Sequence, residues 1–153
     1  MRSGRPLDRL RKRRSAFTGL YAVLEHGTYS EYLAVRKQHL CLIPESIDDV
    51  RAAGVPVAYL TAQMALSLAG FQAGKIVLAP AIGGSVGNAA TQLARALGAK
   101  HAISSTTNRK KAEQANALGF DEVIDLSGET LSGGLRRITD GYGADIVIRC
   151  NWR

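Results

Sequence analysis

The chain has 153 residues, 46% of them hydrophobic and 22% charged, with a net charge of +7. That length and balance predict one soluble globular domain with a real core, and no apolar run approaches the roughly 20 residues of a membrane span. Cys41 and Cys150 are too few and too far apart for a disulfide framework or a metal cluster, and read as reduced thiols of a cytoplasmic protein.

The charge is concentrated at the start. Arg2, Arg5, Arg9, Arg11, Lys12, Arg13 and Arg14, set against Asp8, give the first fourteen residues +6 and leave +1 for all that follows. Residues 1–26 therefore read as a basic, disordered extension. Such an arm could bind nucleic acid or a membrane surface, or serve as a presequence. It lacks interleaved aromatics and a nucleic-acid-binding motif, and no clean amphipathic helix is visible in it. A solvated extension accounts for it more simply.

Residues 27–35 alternate as a strand, with Tyr29, Glu31 and Leu33 on one face and Ser30, Tyr32 and Ala34 on the other. A short apolar run at 40–43 ends at Pro44. Ser46 opens a helical stretch with Asp48 and Asp49 in its first turn, which suits the helix dipole, and Gly54 and Pro56 interrupt it. Val57, Leu60, Met64 and Leu68 then mark the core-facing side of a second helix.

The most informative stretch is 75–105. An apolar run at 75–79 reads as a buried strand. A glycine turn follows at Gly83, Gly84 and Gly87, then a helix with Val86, Ala90, Leu93 and Leu97 on one face. Gly98 stops that helix, and a second strand begins at His101. Strand, glycine turn, helix, strand is a βαβ unit, whose crossover favours a parallel sheet. Side-chain-free residues before a helix let the backbone approach a phosphate, where free N–H groups and the positive helix end favour an anion. Ile82 stands where a strict G-x-G-x-x-G would need glycine, so the motif is A-x-x-G-x-x-G: Ala81, Gly84, Gly87. The alternative is that these glycines only permit tight helix–strand packing.

A polar, partly basic helix start follows and ends at Gly119. A strand at 122–125, a helix marked by Leu131, Leu135 and Ile138, and a fourth strand at 145–148 complete the alternation. The expected fold is α/β: a partial Rossmann fold, doubly wound and parallel, in strand order 3-2-1-4, truncated after the fourth strand, with right-handed crossovers. The fourth strand would be an exposed apolar edge, so a homodimer or other self-association is expected.

Ala81, Gly83, Gly84, Ser85, Val86 and Gly87 are thus candidate cofactor-binding residues. Cofactor preference is readable further on. About twenty residues past the glycine turn, where an acidic residue usually holds the ribose of NAD, the chain has Ser104, Ser105, Thr106 and Thr107. Arg109, Lys110 and Lys111 follow. Hydroxyls and cations suit the extra phosphate of NADPH, which a carboxylate would repel. A solvated helix start is the competing explanation of the basic trio.

The A-x-x-G-x-x-G turn followed by AATQLARALGA, together with GTYSEYLAV, LIPESI, PVAYLTAQMAL, KAEQANALGFDEVID and GADIVI, resembles the medium-chain dehydrogenase/reductases. The closest branch is the zinc-independent quinone oxidoreductases related to zeta-crystallin. The resemblance runs from about residue 27 to 148, most of this chain but less than half of a usual member. It implies that 27–45 is a remnant of the catalytic, GroES-like domain and 46–153 an incomplete dinucleotide-binding domain. It places Thr61 near the nicotinamide and matches Lys111 to a lysine that contacts the NADPH phosphate. Leu126 stands where relatives often have tyrosine or histidine. The resemblance fails at both termini, where residues 1–23 and Arg149, Cys150, Asn151, Trp152 and Arg153 depart from the family.

The implied activity is NADPH-dependent hydride transfer to quinones or activated carbonyl or alkene substrates, with a small-molecule substrate and no membrane partner. Two alternatives stay open: a truncated, non-catalytic nucleotide-binding fragment, and a basic-tailed nucleic-acid-binding protein. No metal is expected, since His26, His39 and His101 are scattered. No catalytic residue stands out; Tyr29 and Tyr32 qualify only by residue type.

Overall fold

In a computed structural model, residues 14–16, 29, 31, 35–120 and 122–149 are described. The chain forms two compact units, Met1–Val57 and Ala58–Arg153. In the first, β1 (Arg14–Ala16) pairs antiparallel with β2 (Leu40–Leu42), after a 3-10 turn at Lys37–His39. β2 falls on the predicted apolar run, whereas β1 lies inside the stretch expected to be disordered. The strand expected at 27–35 is not seen at its described positions: Tyr29 and Glu31 sit in bends, Val35 is outside any strand, and the rest lies outside the described residues.

Helix α1 (Asp49–Leu68) runs through both predicted breaks, with Pro56 in its interior. The expected interruption is therefore absent. Proline removes only one backbone donor and its φ is helical, so a helix otherwise held can pass through it. The start is set by Asp48, not Ser46: Arg51 N donates to Asp48 Oδ1 at 2.8 Å.

The second unit carries the parallel sheet, built of β3 (Ile76–Leu78), β4 (His101–Thr106), β5 (Val123–Asp125) and β6 (Ile146–Val147) in order β5-β4-β3-β6. This is the predicted 3-2-1-4 order. Helices α2 (Ser85–Ala96), α3 (Arg109–Ala117) and α4 (Leu131–Ile138) connect the strands. All three residues of β3 are buried, as expected for a central strand covered on both faces.

Alternation along β3 separates two apolar clusters. Val77 and Ala79 join Ile146 and Ile148 and meet Ala58, Ala62 and Leu66 of α1 and Ala89, Ala90 and Ala94 of α2. Ile76 and Leu78 join Ile103 and Ile124, against which Leu131, Leu135 and Ile138 of α4 pack. The core face of α1 is thus not the predicted one. Val57, Leu60, Met64 and Leu68 are all exposed, and alanines, with Leu66, fill the contact. On α2 the predicted face holds in part: Ala90 is fully buried and Leu93 packs against the same cluster, while Leu97, the residue just past the helix, is exposed. Small side chains let a helix lie close on a sheet, so the buried face is the small one rather than the most hydrophobic one.

Strand starts are tied by side chains. Asp145 accepts from Ile76 N at 2.8 Å and from Lys75 Nζ at 3.2 Å. These bonds, the one from Ile76 foremost, hold its carboxyl below the usual carboxylate range against a smaller opposing effect of burial. His101 pairs with Glu122, whose other oxygen accepts from Ala102 N at 2.9 Å. His101 thus ties the start of β4, as its position at a strand start suggested.

Candidate functional site

The carboxyl end of β3 leads through Ala79 and Pro80 into the glycine turn. Ala79 N donates to Ile103 O at 2.8 Å, keeping the turn against β4. Ala81 lies in the left-handed region with φ of 67°, unusual for a residue with a Cβ. Its carbonyl accepts from Gly84 N at 2.8 Å, which closes the turn, and Ile82 N donates to Ser105 O at 2.9 Å. Asn88 reaches back from α2 to Ile82 O at 3.3 Å. A main-chain turn is thereby pinned from two elements.

Gly84 is the N-cap of α2 and contributes no side-chain cap. Gly83, Gly84 and Ser85 are exposed, while Val86 and Gly87 are half-buried. A first turn presented without a capping side chain leaves its backbone donors open to an outside acceptor. The three glycines differ in what a Cβ would meet. At Gly87 it would lie 2.3 Å from Pro80 O and 2.6 Å from Ala81 O. At Gly84 it would sit 3.3 Å from Ala81 O. At Gly83 the nearest atoms belong to Lys111: Cδ and Nζ at 3.3 Å and Cε at 3.7 Å.

Lys111 comes from the first turn of α3. Asn108 caps that helix, accepting from Lys111 N at 3.3 Å, and its own N donates to Thr106 Oγ1 at 3.2 Å. Asn108 is thus a positioning residue that sequence reasoning left out, although an asparagine just before a helical run is a cap signal. Arg109, Lys110 and Lys111 stand at the positive end of α3, with no acid in that turn. Cations there are disfavoured by about 0.3–1 kcal/mol each at low salt, and an anion would relieve that. Arg109 is partly answered by Glu113 at 3.3 Å.

Of the remaining candidates, Ser104 and Ser105 are buried at the end of β4. Ser104 Oγ donates to Ala79 O at 2.6 Å, so that hydroxyl binds β3. Thr106 is buried and accepts from Asn108 N, and Thr107 is exposed. Among the candidates, the structure gathers the Ala81–Gly87 turn, the end of β4 and Lys111 around one corner. Thr61 is exposed on α1, a separate element. Leu126 packs against the apolar cluster of α4, and its N–H donates to Thr106 O at 2.8 Å.

Asp125, the last residue of β5, is in register with Thr106. Ser127 donates to it through both its hydroxyl and its backbone N–H, at 2.6 and 3.0 Å. These bonds, with a smaller contribution from Arg109, hold its carboxyl below the usual range. The carboxylate is thus engaged within its own turn. Among the described residues, no cluster of three His, Cys, Asp or Glu side chains could hold a metal ion, and no helix is long and apolar enough to cross a membrane. Tyr29 is exposed in a bend; Tyr32 lies outside the described residues.

A family described as zinc-binding dehydrogenase matches residues 85–151. The chain is 36% identical over 107 residues to an NADPH-dependent alkenal/one oxidoreductase of Arabidopsis thaliana, covering 70% of this chain and 28% of that protein. It is 39% identical over 128 residues to erythronolide synthase EryA2 of Saccharopolyspora erythraea, covering 82% of this chain and 4% of that one. Among solved structures, the quinone oxidoreductase of Thermus thermophilus, described also in complex with NADPH, superposes with a TM-score of 0.74 at 30% identity. That match covers 93% of this chain and 44% of the Thermus chain. The chain spans less than half the length of each of these relatives.

Proposed function

Because the chain belongs to the medium-chain dehydrogenase/reductase superfamily, we propose that it supplies the cofactor side of an oxidoreductase that binds NADPH in the corner formed by the glycine turn and Lys111. A bound nicotinamide cofactor would supply the hydride; the chain's own residues bind and orient it. The cradle fits a diphosphate: Gly83, Gly84 and Ser85 are exposed at the start of α2, and the N-cap carries no side chain. Lys111 would hold the extra phosphate of NADPH, with Lys110 adding positive charge. Ser105 and Thr106 line the end of β4 without a carboxylate to repel it.

The observation that carries this reading is the approach of the Lys111 ammonium to Gly83, which joins the cationic start of α3 to the phosphate turn. Ser104 drops out of the binding set because its hydroxyl is bound to Ala79 O. Thr61 stays in it only through the family resemblance. The substrate class in this reading is quinones or activated carbonyl or alkene compounds, reduced without zinc.

Calorimetric titration with NADPH and NADH tests the reading. NADPH should bind more tightly, and Lys111→Glu should erase the difference. Equal affinity, or tighter NADH, would refute it.

A further inference from the structure

Gly83 differs from its neighbours in why it lacks a side chain. It is not in the left-handed region, and the atoms nearest its missing Cβ are the stem and ammonium of Lys111 rather than backbone. Gly87, by contrast, is enclosed by the Pro80 and Ala81 carbonyls. Lys111 is fixed at its backbone by Asn108 and is exposed along its side chain, so its stem has other directions available. The room that Gly83 leaves is what lets the ammonium lie beside the turn.

We propose that Gly83 is a positioning residue for cofactor discrimination: by leaving the Lys111 stem room beside the glycine turn, it puts the ammonium where the extra phosphate of NADPH would lie. This rests on the NADPH reading above. An added Cβ would touch Lys111 at 3.3 Å, a contact that a flexible side chain relieves by moving away. The fold would then survive while the charge is displaced. Valine, bulkier still, would turn the stem out of the corner. NADH shares the diphosphate but lacks the group that the ammonium recognises, so the displaced charge is read from the ratio of NADPH to NADH affinity.

The experiment compares the full chain with Gly83→Ala, Gly83→Val and Lys111→Glu, titrating NADPH, NADH, adenosine 2′,5′-bisphosphate and 5′-AMP, with thermal melts alongside. Gly83→Val should weaken NADPH and the bisphosphate by about tenfold, the loss of one charge-assisted contact, with Gly83→Ala intermediate. The preference for NADPH over NADH, and for the bisphosphate over 5′-AMP, should fall by that factor, since any effect of the side chain on the shared phosphates cancels from the ratio, and both variants should melt near the wild type. In the Gly83→Val/Lys111→Glu double variant the two effects should not add, since they act on one contact. If the Gly83 variants weaken all four ligands alike, or leave the preference intact while Lys111→Glu removes it, the inference is wrong and the NADPH reading stands. If the wild type itself shows no preference for NADPH, the reading falls and the inference with it.

Discussion

Gly87→Ala separates the two reasons a glycine can sit in this turn. A Cβ at position 87 would lie 2.3 Å from Pro80 O, 2.6 Å from Ala81 O and 3.2 Å from Ala81 C. Carbon contacts are comfortable at about 3.5 Å, so the overlap is about 1 Å and falls on main chain that no rotamer change can clear. Nor can α2 lift away freely, because Ala89, Ala90 and Ala94 hold it in the core at 0–1% exposure. Overpacking of this kind costs about 3 kcal/mol, the upper end of the usual range, against about 1 kcal/mol gained from alanine's better helix propensity. The net is about 2 kcal/mol of destabilisation, or roughly 10 °C in melting temperature for a domain of this size. Thermal and urea unfolding followed by circular dichroism would measure it. A variant that melts at or above the wild type would refute the packing argument. If it also lost nucleotide affinity, Gly87 would be a ligand-approach residue instead.

Two further outcomes are expected. Ala81→Gly should stabilise the chain: a left-handed residue with a Cβ costs about 1–2 kcal/mol, while the extra freedom of unfolded glycine takes back about 0.4–1 kcal/mol. A lower urea midpoint for the variant would contradict this. Asp145 should contribute to stability in a pH-dependent way. Its folded carboxyl titrates below its unfolded value, so its contribution is complete above about pH 4 and is lost as the pH falls through the lowered folded value. Asp145→Asn should therefore be less stable than the wild type at pH 7, with the two stability curves converging in acid; a constant gap down to about pH 2 would show that the charge is not what matters.

The alternation of strand and helix was readable because buried parallel strands leave short apolar runs, and at 76–79 even the two faces could be assigned once the sheet was in place. The face of α1 was not readable. Leucine, methionine and valine at 57, 60, 64 and 68 outrank alanine in hydrophobicity, so periodicity pointed to the wrong side. Packing distance decided instead, and it chose Ala58 and Ala62 with Leu66. The continuity of α1 through Pro56 was hidden for a related reason: local propensity marks a break there, while the contacts that hold the helix are made elsewhere along it. The β1–β2 pairing had no local signal, since strand partners twenty-odd residues apart leave no periodic trace in either segment.

The site was legible as a location more than as a set of roles. The spacing of Ala81, Gly84 and Gly87 marked a turn before a helix, but a motif does not say which atoms a missing Cβ would strike. That depends on the register of β3 against β4 and on where α3 begins, neither of which is local. Hence three glycines have three explanations: Gly87 lies against two carbonyls, Gly84 opens α2 beside the Ala81 carbonyl, and Gly83 adjoins Lys111. The position where conformation alone most calls for glycine, with φ of 67°, holds Ala81 instead. Matching residues to the strict fingerprint would score Ile82 as the defect and pass over both Ala81 and Gly83. Physically the ranking is different: the Ala81 strain is tolerated because its carbonyl bond to Gly84 closes the turn, and the glycine that no backbone atom requires, Gly83, is the one whose replacement should change ligand choice without changing the fold.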